Sequence, residues 1–513
     1  MSYPKKLLRL RPTKGLALDI PANEVPPDFY TGGTNVIFRD GFAQRVGGSR
    51  DAYTQSTTDP VFHIRNVRAP GGVTESNFWL IFGQDEIQAL ETSNITDVSP
   101  SLTSVSSPWQ WSTTLLNNLP IATNGLDAPI YWTGDTGDNF ASLPDWPAGT
   151  VAKSIVAFRF HIFALDITEA AGHYESKIMW SAAAAAGSVP SSWTASATNE
   201  AGSAILADTD GPTYLGVPLQ NTLIIFKPHS MYGVTYVGGE DKFSVQLLDA
   251  DRGALTRHAA IDVGGQILVV ADGDVGMTDG TNWHSIAQGR VRDYLFSQLS
   301  QDSYENLFVV HNRSKNEVWI CYPTAGNTYC NEAIVYNVAT DGWGIRTLAD
   351  VTYADVGTVN DTAADESWNS DSDTWDSDES QWNSANYSLA TEQLITATNG
   401  ATLTLEDDDT ATTVAATLFK HDLTMDEPER VKFVKKVHVR TNASPGTLYV
   451  RVGSRMSPTD SIIWDTEQTL TAPANVVNVR TQGKFISIEV RSSGTNVWQV
   501  TGLDLEYEKR GYQ

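Results

Sequence analysis

Cysteine is almost absent from this sequence: its 513 residues contain two, Cys321 and Cys330. They flank a segment with Pro323 and Gly326, so a hairpin there would bring them close together. One pair is too few for a disulfide framework, and no matching His and Cys pair accompanies it to complete a zinc site. We expect a buried, reduced pair, with a disulfide as the alternative.

Long apolar segments are also missing. No stretch approaches the roughly 18 residues of a membrane-spanning helix, and the N-terminal region has no apolar run of signal-peptide length. We therefore expect no membrane span, and we expect the chain to be made and kept in the cytoplasm unless lysis releases it.

Positive charge is scarce. The chain has 35 Lys and Arg against 61 Asp and Glu, which gives a net charge of −26. Such a molecule repels phosphate backbones, so wrapping or reading nucleic acid is not expected. Guiding DNA remains compatible with this charge, because a channel in which DNA slides must not hold it.

Motifs for catalysis and for cofactor binding are lacking as well. The nine histidines are dispersed, and neither a Gly-x-Ser-x-Gly motif nor a phosphate-binding Gly-Lys-Ser/Thr loop occurs. The acidic run Asp371 to Asp378 resembles the start of a calcium loop, but Trp382 stands where an EF-hand requires a bidentate Glu. We predict no catalytic, cofactor-binding or metal-binding residues, no cofactor and no enzymatic activity.

What the sequence does contain is a repeated theme between about residues 60 and 350. A short β-rich apolar run is followed by a turn rich in Gly, Asp or Asn and by a second run that often ends on an aromatic residue. The clearest copies are Phe78 to Phe82, Pro129 to Trp132, Phe158 to Leu165, Thr222 to Phe226, Gln266 to Val270 and Glu317 to Cys321. They recur near the spacing of a four-stranded propeller blade, so an all-β fold with a β-propeller is predicted.

The chain is too long for the propeller alone. Alternating apolar and polar residues from Phe419 onward predict a C-terminal antiparallel β-sandwich over residues 417–513. The propeller itself is predicted to span residues 34–410, beginning with a hairpin at 34–45 that turns at Asp40-Gly41. Residues 290–301 are the only stretch predicted to be helical.

The N-terminal segment differs from the rest in charge. Residues 1–33 carry a basic cluster, and we interpret the segment as an extended arm that binds an acidic partner, with a solvated tail as the alternative. The residues assigned to partner binding are Lys5, Lys6, Arg9 and Arg11.

An acidic segment lies near the end of the predicted propeller. No Lys or Arg occurs between Arg346 and Lys420, and the segment includes the acidic run Asp407 to Asp409. Within it, at 361–410, Trp368, Trp375 and Trp382 recur at seven-residue spacing. Three evenly spaced tryptophans would be costly to leave individually in water. We therefore interpret them as aromatic side chains that stack on a surface loop or rim and form a surface aromatic platform.

The turn from Asp274 to Trp283 has the Asp, Gly and Trp elements of the Asp-box hairpins in sialidase propellers. Asp-Gly followed by an aromatic is also a good hairpin turn in its own right, and Asp341-Gly342-Trp343 repeats it. We therefore favour a structural role for this turn over a catalytic one.

The order of motifs in the first half of the chain resembles structural tail proteins of short-tailed bacteriophages. The resemblance covers about residues 30 to 350, and its motifs are Asn118 to Trp132, Phe160 to Leu165, Ile178 to Ser181, Pro190 to Trp193, Asn199 to Gly202, Leu223 to Tyr232 and Val237 to Gly239. It implies a tail nozzle or tubular tail protein, similar to the tail tubular B and packaged-DNA stabilisation proteins.

This resemblance implies a function in the virion. It implies a hexameric ring below the portal and adaptor, in contact with tail fibre, tailspike or plug proteins, through which double-stranded DNA passes without sequence-specific binding. In such a ring we expect Asp407, Asp408 and Asp409 to face the channel. The alternatives are a sialidase-like enzyme, which needs an Arg cluster and paired carboxylates at the propeller mouth, and a glycan-binding propeller for host-surface recognition.

Overall fold

The computed structural model describes residues 5–53, 60–72, 77–91, 94–196, 199–239, 242–359, 392–408, 414–441, 447–471, 475–492 and 498–512. Strands dominate this part of the chain, which confirms the predicted all-β class. The predicted helix is also confirmed: α1 spans Arg292–Gln298. No helix in the described ranges is long and apolar enough to cross a membrane.

Five strands precede the repeated region. The predicted hairpin is confirmed, because the third and fourth of them pair in antiparallel fashion around Asp40 and Gly41. The five strands are β1 (Lys5–Leu10), β2 (Gly32–Thr34), β3 (Val36–Arg39), β4 (Phe42–Arg45) and β5 (Gly48–Asp51).

Five separate four-stranded antiparallel sheets follow in chain order, and they are blades 1 to 5 of a β-propeller. Blade 1 contains β6 (His63–Arg68), β7 (Asn77–Phe82), β8 (Ile87–Glu91) and β9 (Asn94–Asp97); blade 2 contains β10 (Ser112–Leu116), β11 (Leu119–Thr123), β12 (Ile130–Tyr131) and β13 (Ala141–Ser142). Blade 3 contains β14 (Val151–Phe158), β15 (His161–Glu169), β16 (Gly172–Trp180) and β17 (Gly202–Ile205). Blade 4 contains β18 (Leu215–Leu219), β19 (Thr222–Phe226), β20 (Met231–Tyr236) and β21 (Phe243–Asp249); blade 5 contains β22 (Ala260–Asp262), β23 (Ile267–Ala271), β24 (Asp274–Thr278) and β25 (Trp283–Ser285).

Two further blades lie within a larger sheet and share one long strand. Blade 6 contains β26 (Phe308–Asn312), β27 (Glu317–Tyr322), β28 (Cys330–Asn337) and the first half of β29 (Gly342–Gly357). The second half of β29 pairs with β30 (Gln393–Thr398), which pairs with β31 (Leu403–Asp408), which pairs with β5. This is blade 7, so a strand from before blade 1 completes the last blade and closes the ring.

Apolar contacts between neighbouring blades hold the ring together, as the repeat predicts. The rings of Phe78 in blade 1 and Trp132 in blade 2 lie 5.1 Å apart, centroid to centroid. Blades 7 and 1 share a core that includes Trp79 and Leu405, and the Trp79 indole N–H donates to the carbonyl of Thr358, 3.0 Å away. Because each blade buries its faces against two neighbours, the ring is rigid and no single blade is an independent unit.

The predicted copies of the theme coincide with strands of the blades. Thr222–Phe226 is β19 in full, but the run Phe158 to Leu165 is not one strand. It contains the hairpin turn between β14 and β15, in which Arg159 has a positive φ of 55° and the Phe160 side chain is exposed.

The C-terminal region forms two packed sheets, a β-sandwich. Its strands are β32 (Ala416–Leu423), β33 (Arg430–Thr441), β34 (Thr447–Arg455), β35 (Ile463–Trp464), β36 (Gln468–Thr471), β37 (Val476–Gly483), β38 (Phe485–Ser492) and β39 (Gln499–Tyr512). One sheet has the strand order β39-β33-β37, and the other has the order β2-β32-β38-β34. Side chains of both sheets, including Val437, Leu505 and Ile488, belong to one buried core.

The N-terminal segment belongs mostly to this sandwich, which corrects its interpretation as a separate arm. Strand β1 pairs with β39 over all six of its residues, and β2 pairs with β32. Strand β3 contacts blade 6 through β29, and β4 contacts β39, so this hairpin joins the two domains. The propeller therefore begins at β5 and not at residue 34.

Candidate functional site

The axis of the propeller is filled by aromatic side chains from distant blades. His63 of blade 1 lies 5.9 Å from His258, next to blade 5, and 3.8 Å from Tyr353 of blade 7, between ring centroids. The His63 ring also contacts the Thr113 hydroxyl of blade 2 at 2.9 Å. These side chains from different blades contact one another inside the propeller, so the propeller axis at this level is not an open channel.

The two histidines are neutral near pH 7. Burial lowers the pKa of His258 to about 4. Burial, with the nearby positive charge of Arg65 and the neighbouring His258, holds the pKa of His63 well below its usual value. Protonating either ring would place a positive charge in an apolar environment. The folded state is therefore more stable at neutral and basic pH than in acid.

A charged pocket lies at one mouth of this axis, beside His258. We call it the Arg257 pocket. It has a volume of about 230 Å³, and its lining comes from five consecutive blades or the loops before them: Trp109, Lys153, Asp166, His173, Glu175, Pro212, Tyr214, Leu255, Thr256, Arg257, Tyr304 and Glu305. Most of these residues lie at or just before the first strand of a blade, which is why they gather at one mouth.

Asp166 and Arg257 form the floor of the Arg257 pocket. The Asp166 side chain is 1% exposed, and the residue has a positive φ of 56° at a register shift between β15 and β16. Its Oδ2 accepts a hydrogen bond from Arg257 Nη2 at 2.6 Å and lies 3.7 Å from Lys153 Nζ, while Oδ1 contacts His173. The backbone N–H of Asp166 donates to the Thr213 hydroxyl at 2.8 Å. These contacts fix a buried carboxylate among positive partners.

Aromatic rings flank the guanidinium group. The Cζ atom of Arg257 lies 5.4 Å from the ring centroid of Tyr214 and 5.9 Å from that of Trp109. Burial raises the pKa of Tyr214, and nearby Tyr304 and Glu305 add to the shift, so this phenol stays protonated. Cation–π contacts at these distances favour the position of the guanidinium between the two rings.

A second cavity of about 490 Å³ adjoins the Arg257 pocket. The two share Tyr214, Leu255 and Tyr304, and the second extends along α1 at Phe296. The two cavities therefore lie side by side, one at the propeller mouth and the other beside the helix.

The predicted channel-facing residues lie elsewhere, and Asp407 requires a correction. Its side chain is 3% exposed, accepts a hydrogen bond from Arg39 Nη2 at 2.7 Å, contacts Lys315, and accepts the backbone N–H of Gly47 at 2.6 Å. Burial opposes ionisation of Asp407, but Arg39, Lys315 and Arg346 outweigh it and hold the pKa of this carboxyl well below its usual range. Asp407 therefore presents no free charge to a channel, since partners from distant segments enclose it.

Its neighbours have different positions. Asp408 pairs with Arg50 of β5 at the edge of blade 7. Asp409 and the three tryptophans of the predicted platform, Trp368, Trp375 and Trp382, lie outside the described residues.

The basic residues assigned to partner binding lie at or just after β1. Lys5, Lys6, Arg9 and Arg11 are exposed, and Lys5 pairs with Glu506 at 3.0 Å. Their side chains are thus displayed on an edge strand of the sandwich rather than on a free arm.

The other sequence motifs have structural roles. Asp274 contacts the Ser285 hydroxyl at 2.7 Å, and Asp279 accepts the backbone N–H groups of Thr281 and Asn282 at 2.8 and 2.7 Å. The hydrogen bonds from Asn282 and Thr281 lower the pKa of Asp279 to about 2. These carboxylates build the hairpin, as the structural interpretation of the turn expects.

Both thiols are buried and free, which confirms the predicted reduced pair. Within the described ranges no group of three or more His, Cys, Asp or Glu side chains is placed to hold a metal ion.

Sequence reasoning missed the Arg257 pocket. One signal for it was present: Asp166 interrupts the apolar run Ile162 to Ile167, where a charged residue is costly without a partner. The identity of that partner depends on the loop before blade 5, and no local pattern gives it.

No protein-family model and no curated protein match the sequence. Among solved structures, the chain is similar to the Cps50 (Swd1) β-propeller domain of Myceliophteria thermophila, with 9% identity and a TM-score of 0.38 over 60% of this chain and 92% of that chain. It is similar to the WD40 β-propeller domain of Doa1, with 8% identity and a TM-score of 0.38 over 70% and 97%. It is also similar to YCF48 bound to D1 peptide, with 9% identity and a TM-score of 0.35 over 71% and 97%. At these TM-scores we draw no conclusion from the likenesses, and strand pairing and interblade cores define the propeller.

Proposed function

We propose that this chain is a structural virion protein that forms the tail nozzle ring of a short-tailed bacteriophage. Six copies would close and guide the DNA exit channel and attach to the portal and adaptor above. Tail fibre, tailspike or plug proteins would bind the same ring. The protein would be assembled in the host cytoplasm and would act without catalysis.

The observation that carries this proposal is the ordered resemblance to phage tail proteins. Its motifs map onto consecutive blades. Asn118 to Trp132 covers β11 and β12, and Phe160 to Leu165 covers the end of the turn before β15 and the first half of that strand. Leu223 to Tyr232 covers all but the first residue of β19 and the start of β20. Because the motifs follow three adjacent blades in order, the resemblance extends over one continuous part of the propeller.

The filled axis bears on where DNA would pass. His63, His258 and Tyr353 meet inside the propeller, so a DNA channel requires a space between copies of the chain rather than the axis of one copy. The net charge of −26 suits the wall of such a channel, because DNA would slide past it without being bound.

Mass photometry of the purified chain, alone and with adaptor rings, tests the proposal. We expect a mass that corresponds to six copies of the chain in each assembled ring, and we expect images of virus particles to show the same number. A chain that stays monomeric under both conditions, and that never occurs at six copies in particles, would show that the nozzle proposal is wrong.

A glycan-directed propeller at the host surface is the second candidate, in a sialidase-like or a purely binding form. The Arg257 pocket favours it, since Arg257 lies at the propeller mouth with the carboxylates of Glu175 and Glu305. The two forms differ in the chemistry that they require. The enzymatic form needs two carboxylates that act on the same glycosidic bond, whereas the binding form does not. Release of free sugar from sialylated and neutral glycans would support the enzyme, and its loss in Glu175→Gln or Glu305→Gln would assign the carboxylates.

A further inference from the structure

Arg257 has unused hydrogen-bonding capacity at the floor of its pocket. Its side chain is only 9% exposed, and Nη2 is engaged by Asp166. The other terminal nitrogen, Nη1, is buried and has no hydrogen-bond partner among the described residues. A buried donor left unpaired costs about 1–3 kcal/mol. The guanidinium group that carries this donor lines the cavity, so a ligand acceptor that reaches Nη1 through a small shift of the side chain would recover that free energy.

The walls and rim of the pocket supply complementary groups. Trp109, Tyr214 and Tyr304 provide aromatic surface, and Glu175 and Glu305 are exposed acceptors at the rim. An aromatic face packs against the C–H groups of a sugar ring, while carboxylates accept its hydroxyl protons and a guanidinium donates to its oxygens. A ligand with hydroxyl groups on an apolar ring matches all three.

The charge of the pocket argues against a small anion as its ligand. Two permanent cations, Lys153 and Arg257, face three carboxylates, Asp166, Glu175 and Glu305, so these five side chains carry a net charge of −1. Asp166 offsets one of the two cationic charges at the floor, and Glu175 and Glu305 at the rim more than offset the other. Such a lining does not attract a free phosphate or another small anion, whereas a neutral polyol meets no net repulsion.

We propose that the Arg257 pocket binds one neutral sugar unit of a glycan. In this arrangement a ring oxygen or hydroxyl oxygen accepts from Arg257, the ring packs on Tyr304, and hydroxyl groups donate to Glu305. The adjoining cavity along α1 holds the next unit of the chain. This inference rests on the purely binding form of the second candidate function and names its ligand. It requires neither assembly of a hexameric ring nor hydrolysis, so its failure would leave the nozzle proposal untouched.

Saturation-transfer NMR with the full chain tests this proposal. The probes are the methyl glycosides of glucose, galactose, mannose and N-acetylglucosamine, with inorganic phosphate as the anion probe. We expect at least one glycoside to bind and phosphate not to bind. Tyr304→Ala and Glu305→Ala should each weaken glycoside binding about tenfold, which corresponds to roughly 1.4 kcal/mol.

Glu429→Ala is the matched control, because Glu429 is an exposed carboxylate in the sandwich, far along the chain from the pocket. It should leave glycoside binding unchanged, and circular dichroism should show that all three variants are folded. Absence of binding by every glycoside, equal binding by the pocket variants and the parent chain, or binding of phosphate alone would each overturn the proposal.

Discussion

Replacing Asp407 by Asn should destabilise the junction of the two domains severely. Asp407 of blade 7 contacts Arg39 of the N-terminal hairpin and Lys315 of blade 6, so its charge holds three parts of the chain together. Asn is the appropriate replacement because it removes the charge at constant size and tolerates the positive φ of 60° at this position.

The magnitude follows from burial. Removing one partner of a buried ion pair costs about 3–5 kcal/mol, because the remaining charge stays desolvated. Arg39 keeps its hydrogen bond to Glu317 at 2.8 Å, which places the expected loss near the lower end of that range. A loss of about 3 kcal/mol is a large part of the roughly 5–15 kcal/mol that stabilises a typical domain.

Asp408→Asn is the control, because it alters the adjacent residue in the same strand. Its partner Arg50 is 39% exposed, and an ion pair open to solvent contributes only about 0–1 kcal/mol. Urea unfolding at pH 7, followed by tryptophan fluorescence, should therefore show a much larger decrease in midpoint for Asp407→Asn than for Asp408→Asn.

The pH dependence gives a second readout for Asp407. Its folded-state pKa is depressed, so its stabilising contribution is fully present above the unfolded value of about 3.9 and is lost as pH falls through the folded value. The gap between parent and Asp407→Asn should narrow below about pH 4. Equal midpoint shifts for the two variants, or a gap that persists in strong acid, would refute the electrostatic explanation.

Acid, alkylation and truncation test other parts of the structure. Lowering the pH from about 6.5 to about 4 should reduce the free energy of unfolding by about 3 kcal/mol through His258, because its pKa is lower in the folded chain and the unfolded chain binds the proton at higher pH. The His258→Gln variant should therefore show a melting temperature that depends less on pH. Cys321 and Cys330 should resist iodoacetamide until the chain unfolds, as counted by mass spectrometry, since burial raises both pKa values. Deleting residues 1–10 should lower the melting temperature and promote aggregation measured by light scattering, because it exposes the edge of β39; an unchanged melting temperature would contradict this.

Local sequence patterns were sufficient where a strand is buried and bounded by turn residues. Thr222–Phe226 is such a case, with apolar residues throughout, and the hairpin at Asp40-Gly41 follows directly from its turn chemistry. The helix is also a local feature, because residues 292–298 need no partner strand to form hydrogen bonds.

Long-range pairing is what the sequence could not supply. The segment Lys5 to Leu10 was interpreted as an arm from its charge, yet it pairs with residues 503–508 at the other end of the chain. Asp407 was interpreted as a free surface charge because no cation lies near it in sequence, but Arg39 and Lys315 approach it in space. In both cases the deciding contact joins segments that are distant in the sequence, and charge patterning does not encode it.

Closure of the ring connects this long-range pairing to the candidate site. Strand β5 completes blade 7 only when residues 48–51 meet residues 404–408, so all seven blades are held in one ring by contacts between its two ends. The Arg257 pocket takes its lining from blades 2 to 6, and its geometry therefore depends on the spacing of the whole ring rather than on one loop. A site built in this way is preorganised, because the ordering entropy of its side chains is lost on folding and not on binding. The same rigidity suits a ring component that must keep a channel open, so a scaffold role and a sugar site are compatible in one chain.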